Sequence, residues 1–426
     1  MAGVADTVSP VVARIDRRAP GARDFALRFW DGSEVPPPRG AGDDLTVIVR
    51  SPRALAYALR QPNELGLGRA WVSGELDVEG DLERGLALRD RFRGVKLSAG
   101  DRLAALRAAA RVGAVRLRAP EVPASEARVG RARRHSLRRD RVAVRHHYDV
   151  SNAFYRLVLG PTMVYSCAYF ASPDDTLDEA QERKLELICR KLRLRSGDRL
   201  LDIGCGWGSL VLHAAREHGA RAVGVTLSEP QAELARERIR EAGLADRCEI
   251  RVADYREVDD GPYDKVASVG MYEHVGRARL GEYVGRVRCL LRPGGLFLNH
   301  GIVRAKPRPQ NKRSFIARYV FPDGELHPVT AVVDAMERCG LEIRDDESLR
   351  EHYALTLRRW VANLAANREA AIAEAGEERE RVWRLYMTGS ALAFEAGDIS
   401  VHQVLAAKPG APHELPLARE SLVVSR

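Results

Sequence analysis

The stretch from Arg199 to Ser209 constrains the fold of this chain more than any other. It begins with the apolar residues of a buried strand, continues into a loop with glycine at every second position, and leads into an apolar helical pattern. Strand, glycine loop and helix in this order are typical of a nucleotide-type binding site. Glycine allows a sharp turn and a close approach of the backbone to a ligand, because it has no Cβ. Asp202 precedes the first glycine, where its carboxylate can meet a cationic ligand.

The spacing of the loop narrows the class of ligand. Dinucleotide-binding loops read Gly-x-Gly-x-x-Gly, whereas this loop reads Asp-x-Gly-x-Gly-x-Gly. It resembles the loop that binds S-adenosylmethionine (SAM) in class I methyltransferases. A purely structural turn is the alternative, because turns and helix caps also collect glycine. On the first interpretation, the cofactor-binding residues of the loop are Leu201, Asp202, Gly204, Gly206, Trp207 and Gly208.

Four further strands are predicted after the loop, in a pattern of alternating strands and helices. They cover about 222–225, 249–252, 265–269 and 295–298. Strands that alternate with helices form a parallel sheet with helices on both faces, so the predicted fold class is α/β, a doubly wound, Rossmann-like sheet. Ligands of such sheets bind beyond the carboxyl ends of the strands. Five polar residues are predicted at those ends: Asp202, Thr226, Asp254, Glu273 and His300.

The chain is longer than one ordinary domain and is predicted to have three parts. Its 426 residues are 45% hydrophobic, which is enough for a sizeable core. Residues 1–118 contain strand patterns at 25–29 and 45–49 and are predicted to form a smaller α/β domain for packing or assembly. Residues 119–145 are a predicted arginine-rich linker. Residues 146–426 hold the glycine loop and form the predicted catalytic domain, with lipid-binding insertions.

The chain is basic, with a formal net charge of +9 and a pI of about 9.4. A basic surface is compatible with binding to anionic lipid or to nucleic acid and does not distinguish between them. A genomic bias toward arginine explains the positive charge equally well. The linker is either a solvated connection or an arm that contacts phosphates. Its arginines are Arg128, Arg131, Arg133, Arg134, Arg138, Arg139, Arg141 and Arg145.

Cysteine usage and hydropathy limit the cellular compartments in which we expect the protein. The six cysteines are scattered without a Cys-x-x-Cys pair, which argues against a zinc site or a disulfide framework and suits a reducing cytoplasm. The first residues lack the apolar core of a signal peptide, and we find no apolar run long enough to span a bilayer. We therefore expect a cytoplasmic protein without a metal site.

A series of polar and aromatic motifs runs through the last two thirds of the chain. The motifs are His147-Tyr148-Asp149, the segment 165–170, the glycine loop, Thr226-Leu227-Ser228 with Gln231, the segments 270–276 and 319–324, and His352-Tyr353 with Trp360. Together, and in this order, they resemble the cyclopropane-fatty-acyl-phospholipid synthase family. The resemblance begins at about His146, and the longer bacterial members of the family also carry an N-terminal domain.

The resemblance implies a role for each motif. The family transfers a methyl group from SAM to a double bond in an acyl chain of a membrane phospholipid. Tyr165 and Ser166 would touch SAM, residues 201–209 would wrap its methionine part, and Tyr255 and Arg256 would lie at the adenine edge. The ribose and adenine would be held by Thr226, Leu227, Ser228 and Gln231. The structural alternative for Ser228 and Gln231 is a helix cap.

The resemblance also implies a bound bicarbonate ion. Methyl transfer to an isolated alkene leaves a carbocation, and a base must then remove a proton. The residues that correspond to the family's bicarbonate site are Cys167, Glu273, His300, Tyr353 and the backbone of Ile302. An ordinary buried cysteine and a core histidine are the alternatives for Cys167 and His300. Aromatic residues that would stabilise the cation and line an acyl channel are Tyr148, Tyr169, Phe170 and Tyr319.

Two departures from the family pattern bear on the product. Ser390 stands where many members have a cysteine, and residues 313–316 lack a tryptophan that is common before Tyr-x-Phe-Pro. Together with Asn299-His300-Gly301, these differences favour the branch that makes methylene-bearing, later methyl-branched chains of the tuberculostearate type. The first chemical step is the same in both branches, and the product depends on which proton leaves the cation.

The expected partners follow from the resemblance. They are membrane phospholipid acyl chains, an anionic membrane surface with peripheral association at its inner face, and a second copy of the chain bound through the N-terminal domain. A reductase is a candidate partner of a methyl-branching enzyme, and nucleic acid is not expected. The alternative enzyme is a SAM-dependent methyltransferase that acts on a small molecule or nucleic acid. A lipid-binding or scaffold protein with a degenerate fold is disfavoured by the intact glycine loop and Glu273.

Overall fold

The structure is a computed structural model, and its described residues form two compact units. The described residues are 3–38, 44–92, 95–115, 120–127, 134–136, 139–140, 150–306 and 314–419. The first unit consists of Met1–Ala127, Arg313–Tyr319 and Gly376–Leu392, and the second of Arg128–Lys312, Val320–Ala375 and Ala393–Arg426. Two late segments thus belong to the first unit. The three-part division at 118 and 145 stays a prediction.

The strands and helices have the following bounds. The strands are β1 (Ala26–Phe29), β2 (Glu34–Val35), β3 (Thr46–Val49), β4 (Leu76–Glu79), β5 (Arg199–Ile203), β6 (Arg221–Thr226), β7 (Cys248–Val252), β8 (Tyr263–Val269), β9 (Leu291–Arg304), β10 (Glu342–Ser348) and β11 (Ile399–Ala407). The α-helices are α1 (Val4–Arg18), α2 (Pro52–Arg60), α3 (Glu64–Val72), α4 (Leu82–Ala87), α5 (Ala99–Arg111), α6 (Asn152–Leu159), α7 (Leu177–Lys191), α8 (Ser209–His218), α9 (Glu229–Glu241), α10 (Leu280–Leu290), α11 (Phe315–Tyr319), α12 (Val329–Arg338), α13 (Arg350–Ala366), α14 (Arg368–Ala375) and α15 (Glu377–Glu395). Short 3-10 helices lie at Leu88–Phe92, Tyr255–Glu257, Tyr272–His274 and Arg277–Arg279. Among the described residues, none of these helices combines the length and apolar character needed to cross a membrane.

The first unit is built on a four-stranded sheet of order β2-β1-β3-β4. β1 and β3 are parallel, and β2 and β4 pair antiparallel at the two edges. The apolar faces of the sheet and of α1 and α2 meet in one cluster that includes Val12, Phe29, Val49 and Tyr57. The alternating apolar residues at 25–29 and 45–49 correspond to β1 and β3.

A buried cation–aromatic pair ties a late segment into the core of the first unit. The guanidinium carbon of Arg381 lies 4.3 Å from the centre of the Trp71 ring. The Trp71 indole N–H donates to the Arg381 carbonyl oxygen at 2.9 Å, and the Arg381 guanidinium donates to the carbonyl oxygen of Leu76 at 2.6 Å. Arg381 is 2% exposed, so these bonds satisfy donors that water does not reach.

The second unit is built on a seven-stranded sheet of order β10-β11-β9-β8-β5-β6-β7. The five strands from β9 to β7 are parallel to one another. β11 runs antiparallel to β9, and β10 is antiparallel to β11 and so runs in the direction of the five parallel strands. Leu200 packs in one apolar cluster, and Leu201 and Ile203 pack in another. Successive residues of a strand point to opposite faces, so helices cover both faces of the sheet. The predicted α/β class is confirmed, and the sheet is mixed because of the antiparallel edge.

Strand β9 is longer than the sequence pattern predicts. It runs for 14 residues from Leu291 to Arg304, so the prediction that His300 follows the end of the strand is wrong. Pairing with β8 stops at Val269 opposite His300, and the rest of β9 pairs with β11 alone. His300 therefore lies inside a strand and still at the carboxyl edge of the parallel part of the sheet.

Candidate active site

The glycine loop after β5 has a backbone that glycine adopts at low cost. Gly204, Gly206 and Gly208 have φ angles of +82°, +54° and +77°, in the left-handed region that a Cβ disfavours. The amides of Gly204 and Cys205 both donate to the carbonyl oxygen of Val225, at 2.9 and 3.0 Å, which holds the loop against β6. Gly208 is the N-cap of α8, so the loop leads directly to the free N–H groups of a helix start.

A cavity with about 1220 Å³ of empty space, including its open mouth, lies against this loop in the second unit. Most of the predicted cofactor residues line it: Tyr165, Ser166, Asp202, Gly204, Gly206, Trp207, Thr226, Leu227, Gln231, Tyr255 and Arg256. Leu201, Gly208 and Ser228 are outside the lining. The structure thus gathers side chains from the carboxyl ends of β5, β6 and β7 around one space.

Asp202 lies at the bottom of this cavity with an unusual charge environment. Its Oδ1 is buried and has no hydrogen-bond partner among the described residues. Burial raises the pKa of Asp202 to about 7, and the positive charge of Lys184 opposes that shift. A buried carboxylate with an unused oxygen, next to a loop with glycine at every second position, is suited to a cationic ligand of the size of SAM.

Lys184 is a site residue that the sequence analysis missed. It lines the cavity, is 2% exposed and donates a hydrogen bond from Nζ to Ser166 Oγ at 2.8 Å. Burial lowers the pKa of Lys184 to about 8, although Cys167 and Asp202 oppose the shift. The sequence contained a signal, because Lys184 falls on the buried face of α7, between the apolar residues Ala180 and Ile188. A lysine in a buried stripe needs a partner or a function.

The predicted ribose and adenine segment forms its own contacts at the end of β6. Thr226 Oγ1 donates to Gln231 Oε1 at 2.8 Å, and the Ser228 amide donates to Thr226 Oγ1 at 3.3 Å. Ser228 is the N-cap residue of α9, but its side chain makes no capping hydrogen bond. The helix-cap interpretation of the Ser228 side chain is therefore wrong.

Arg256 is held by two carboxylates beside the cavity. Its guanidinium donates to Asp254 Oδ1 at 2.7 Å and to Asp140 Oδ2 at 2.9 Å, and it lies 5.4 Å from the centre of the Tyr255 ring. Tyr255 in turn meets Tyr283 edge to face at 5.4 Å. Asp140 lines the same cavity and was not predicted, because it comes from the segment that the sequence analysis assigned to a linker.

The predicted catalytic residues lie outside the lining of this cavity, and Glu273 and Ile302 are in direct contact. The backbone N–H of Ile302 donates to Glu273 Oε1 at 2.7 Å, whereas Glu273 Oε2 is buried without a partner among the described residues. Burial raises the pKa of Glu273 to about 7, and the Ile302 N–H opposes that shift. The neighbours Met271 and His274 do line the cavity, so Glu273 lies next to it.

His300 is the second buried group with an unused polar atom. Its Nδ1 is 3.2 Å from Nε2 of Gln403, its partner in the register of β9 and β11. Nε2 of His300 is buried without a partner in the described part of the chain. Burial, together with the charges of Lys184 and Lys191, lowers the pKa of His300, so its imidazole is neutral at pH 7.

Cys167 and Tyr353 both bond to the backbone at the start of α13. The Cys167 thiol donates to the carbonyl oxygen of Leu349 at 3.7 Å, and the Tyr353 amide donates to the same oxygen at 3.1 Å. The Leu349 amide donates to Val401, which is opposite Ile302 in the sheet. These links connect Cys167 and Tyr353 to the strand that carries His300 and Ile302.

A chain of aromatic rings leads from the cavity to Tyr353. The Tyr165 ring lies 5.1 Å from that of Trp360, and Trp360 lies 6.0 Å from Tyr353. Of the aromatics predicted to line a channel, Tyr169 stacks on His352 at 4.6 Å and Phe170 is buried. Tyr319 belongs to the first unit, and Tyr148 lies outside the described residues.

Two arginines of the predicted linker are bound to Asp323. Arg134 Nε donates to Asp323 Oδ1 at 2.8 Å, and Arg139 donates to both carboxylate oxygens. These side chains are therefore anchored to the second unit. The other arginines of this stretch lie outside the described residues: Arg128, Arg131, Arg133, Arg138, Arg141 and Arg145.

A mixed sheet of this order, with a glycine loop and a buried carboxylate after its central strand, defines a class I SAM-dependent methyltransferase. The family model described as mycolic acid cyclopropane synthetase matches residues 135–404. The chain belongs to this family, which confirms the predicted resemblance. It is a SAM-dependent methyltransferase of the cyclopropane synthase type.

Individual relatives agree with this membership. A probable fatty acid methyltransferase of Pseudomonas putida is 42% identical over 403 residues, which cover 93% of this chain and 95% of that protein. The cyclopropane-fatty-acyl-phospholipid synthase of Escherichia coli is 35% identical over 284 residues, 67% of this chain and 72% of that protein. Among solved structures, mycolic acid cyclopropane synthase CmaA1 complexed with SAH and CTAB has a TM-score of 0.60 and 35% identity, covering 63% of this chain and 98% of that one.

Proposed function

We propose that this enzyme transfers the methyl group of SAM to the double bond of an unsaturated acyl chain in a membrane phospholipid. The product is a cyclopropane or a mid-chain methylene group, the precursor of a methyl branch. The relatives from P. putida and E. coli, named for fatty acid and fatty-acyl-phospholipid chemistry, support this substrate class. The observation that carries the proposal is that Glu273 and His300 each have a buried polar atom without a hydrogen-bond partner among the described residues. Both residues are adjacent to the cavity lining, since Met271 and His274 flank Glu273 and Val269 lies opposite His300 in the sheet.

The chemistry requires both an electrophile and a base. Bound SAM supplies an electrophilic methyl group on a sulfonium. An alkene has no proton to lose beforehand, so the proton leaves only after the new carbon–carbon bond has formed. Glu273 and His300 are shielded from bulk water, which protects a cationic intermediate from hydration. The rings of Tyr165, Trp360 and Tyr353 present faces that stabilise positive charge.

The residues present fit a small bound anion with hydrogen-bonding oxygens, such as bicarbonate. When bound, bicarbonate supplies a base that the methyl donor does not consume. Glu273 Oε2 and His300 Nε2 offer an acceptor and a donor that nothing else among the described residues engages. We propose that they hold the ion together with Cys167 and Tyr353. Because the Ile302 N–H already binds Glu273 Oε1, we propose that Ile302 orients that carboxylate instead of touching the ion.

Membrane access is part of the proposal. The chain is basic overall, and positive charge attracts a protein to anionic lipid. Arg134 and Arg139 are paired with Asp323, so we assign the membrane contact to the other arginines of this stretch, Arg128, Arg131, Arg133, Arg138, Arg141 and Arg145. Neutralising these six arginines lowers binding to anionic vesicles and leaves SAM binding unchanged. Equal binding of the native chain to anionic and neutral vesicles excludes this role.

Product analysis tests the proposed function. The full chain is expressed in a bacterial host whose phospholipids contain unsaturated chains, and the extracted fatty acids are examined by NMR. Cyclopropane and methylene products have the same mass, so the ring or alkene proton signals identify which one forms. The Glu273→Gln variant is the inactive control. Unaltered acyl chains in cells that contain the folded protein and SAM overturn the proposal.

A further inference from the structure

A cluster of metal-ligating side chains lies between α7 and α8, apart from the cavity described above. Cys189 of α7 and His213 and His218 of α8 each offer one ligand atom, and the three atoms lie within 4.8 Å of one another. Cys189 and His213 are buried, and His218 is partly exposed. The cluster is therefore enclosed on one side and reachable from solvent on the other.

A carboxylate lies beside the two histidines of the cluster. Glu186 precedes Cys189 by one helical turn, and its Oε2 accepts hydrogen bonds from Nε2 of His213 at 3.1 Å and Nε2 of His218 at 2.9 Å. Arg190 Nε also donates to Glu186, to Oε1 at 2.6 Å, so both oxygens of this carboxylate are held by neighbouring side chains.

We propose that Cys189, His213, His218 and Glu186 form a binding site for a zinc ion that links α7 to α8. Thiolate, imidazole and carboxylate are the ligand types that zinc prefers, in a tetrahedral arrangement. One thiolate and one carboxylate carry two negative charges, which a divalent cation neutralises. Metal–ligand distances of about 2.0–2.3 Å separate tetrahedral ligand atoms by about 3.3–3.8 Å. A side-chain shift of about 1 Å therefore brings the ligand atoms of Cys189, His213 and His218 from within 4.8 Å to this spacing.

The protons balance on binding. The Cys189 thiol loses its proton to solvent, because only the thiolate is a ligand. Each imidazole keeps one proton, on the nitrogen that does not bind the metal. The oxygen of Glu186 that now accepts two N–H bonds is freed to bind the ion.

The site has a structural consequence for the cofactor cavity. Helix α8 begins at the end of the glycine loop, and α7 carries Lys184 into the cavity. A metal ion bound by both helices fixes their relative positions and so stabilises two sides of the cavity that we propose to bind SAM. The cysteine pattern argued against zinc because it contains no Cys-x-x-Cys pair, but here the ligands come from two helices that pack against each other.

Metal titration tests the site without using enzyme activity. The full chain is freed of metal and titrated with Zn²⁺ in competition with a chromophoric chelator. We expect one zinc ion per chain and a rise in Tm on binding. Co²⁺ in place of Zn²⁺ is expected to give a thiolate-to-cobalt charge-transfer band, which reports that Cys189 is a ligand.

Matched variants decide the outcome. Cys189→Ala should weaken Zn²⁺ binding by about 100-fold and weaken or abolish the cobalt band. His218→Gln should do the same, and because His218 is partly exposed, this substitution should disturb folding less than the one at buried Cys189. Cys289→Ala removes an exposed cysteine and His402→Gln a histidine bound to Asp346, and both should bind like the native chain. Circular dichroism verifies folding. A native chain without stoichiometric zinc, or binding that survives both cluster substitutions, overturns the proposal.

Discussion

The ammonium group of Lys184 donates a hydrogen bond of 2.8 Å to the hydroxyl of Ser166 in the interior of the second unit. Ser166 belongs to the motif Tyr165-Ser166-Cys167, and Lys184 acts electrostatically on Asp202 of the glycine loop. One buried cation thus couples two segments that are far apart in the sequence. This coupling makes the charge state of the cavity sensitive to pH and to substitution.

Replacing Lys184 by methionine removes the positive charge and keeps the length of the side chain. The pKa of Asp202 should rise further, because the opposing positive charge of Lys184 is lost. We expect SAM to bind about tenfold more weakly at pH 7, the effect of about one pKa unit. At pH 9 the difference should vanish, since the pKa of Lys184 is about 8 and the native ammonium is then also neutral. Calorimetric titration at both pH values checks this, and equal affinities at pH 7 contradict it.

The affinity for SAM should depend on pH through Asp202. Its pKa of about 7 means that the carboxylate is ionised above this pH and protonated below it. Because a cationic ligand binds the ionised form, Kd should rise by about tenfold for each pH unit below 7 and level off above 8. Titrations between pH 5.5 and pH 8.5 measure the profile. The Asp202→Asn variant should show a flat profile, and a flat native profile refutes the assignment.

Substitution of Glu273 by glutamine should separate turnover from cofactor binding. The amide keeps the acceptor for the Ile302 N–H but removes the carboxylate that we propose to act in proton removal. Turnover should fall by about 100-fold to 10,000-fold, while the Kd for SAM stays within a factor of about three, because Glu273 lies outside the cavity lining. Glu233→Gln, an exposed position on α9, is the control. Native turnover in the Glu273 variant rules out its catalytic role.

The same substitution should change the pH dependence of stability. Burial raises the pKa of Glu273 from 4.5 to about 7, so the native protein is stabilised relative to the unfolded chain below about pH 4.5 and loses that contribution as the pH rises through 7. Glu273→Gln has no carboxyl group that titrates at this position, so its stability does not fall in this way as the pH rises. We expect equal unfolding free energies near pH 5 and an advantage for Glu273→Gln of about 3 kcal/mol at pH 8. Urea unfolding at the two pH values tests the sign, and a variant that is less stable at pH 8 contradicts it.

Two glycine substitutions should have opposite effects on stability. A Cβ on Gly301 would lie 2.0 Å from the Tyr272 ring, so Gly301→Ala should displace the residue next to Glu273, cost about 1–3 kcal/mol and reduce turnover. A Cβ on Gly285 meets nothing within 4 Å inside α10. Gly285→Ala should therefore stabilise the protein by about 0.5–1 kcal/mol with native turnover. Thermal unfolding and product assays compare the pair, and a tolerated Gly301→Ala disproves the packing argument.

The fold class and the family could be predicted because their signals are local. The residues of β5 and the glycines after it are contiguous, and the positive φ angles of Gly204, Gly206 and Gly208 are the conformations that glycine alone adopts at low cost. Strand β9 was harder to delimit. Its extension to Arg304 depends on pairing with β11, which comes about 100 residues later, and no local pattern reports such a partner.

By itself, the sequence was sufficient to predict the class of enzyme, the five parallel strands, and eleven residues that line the cavity beside the glycine loop, since each follows from short-range spacing. The tertiary structure alone decided that Lys184 faces Asp202, that Ile302 binds Glu273, that Gly376–Leu392 belongs to the first unit, and that Cys189 meets two histidines. These contacts join residues from different elements. Their free energy comes from burial and charge in the folded protein, and neither quantity can be read from the order of residues along the chain.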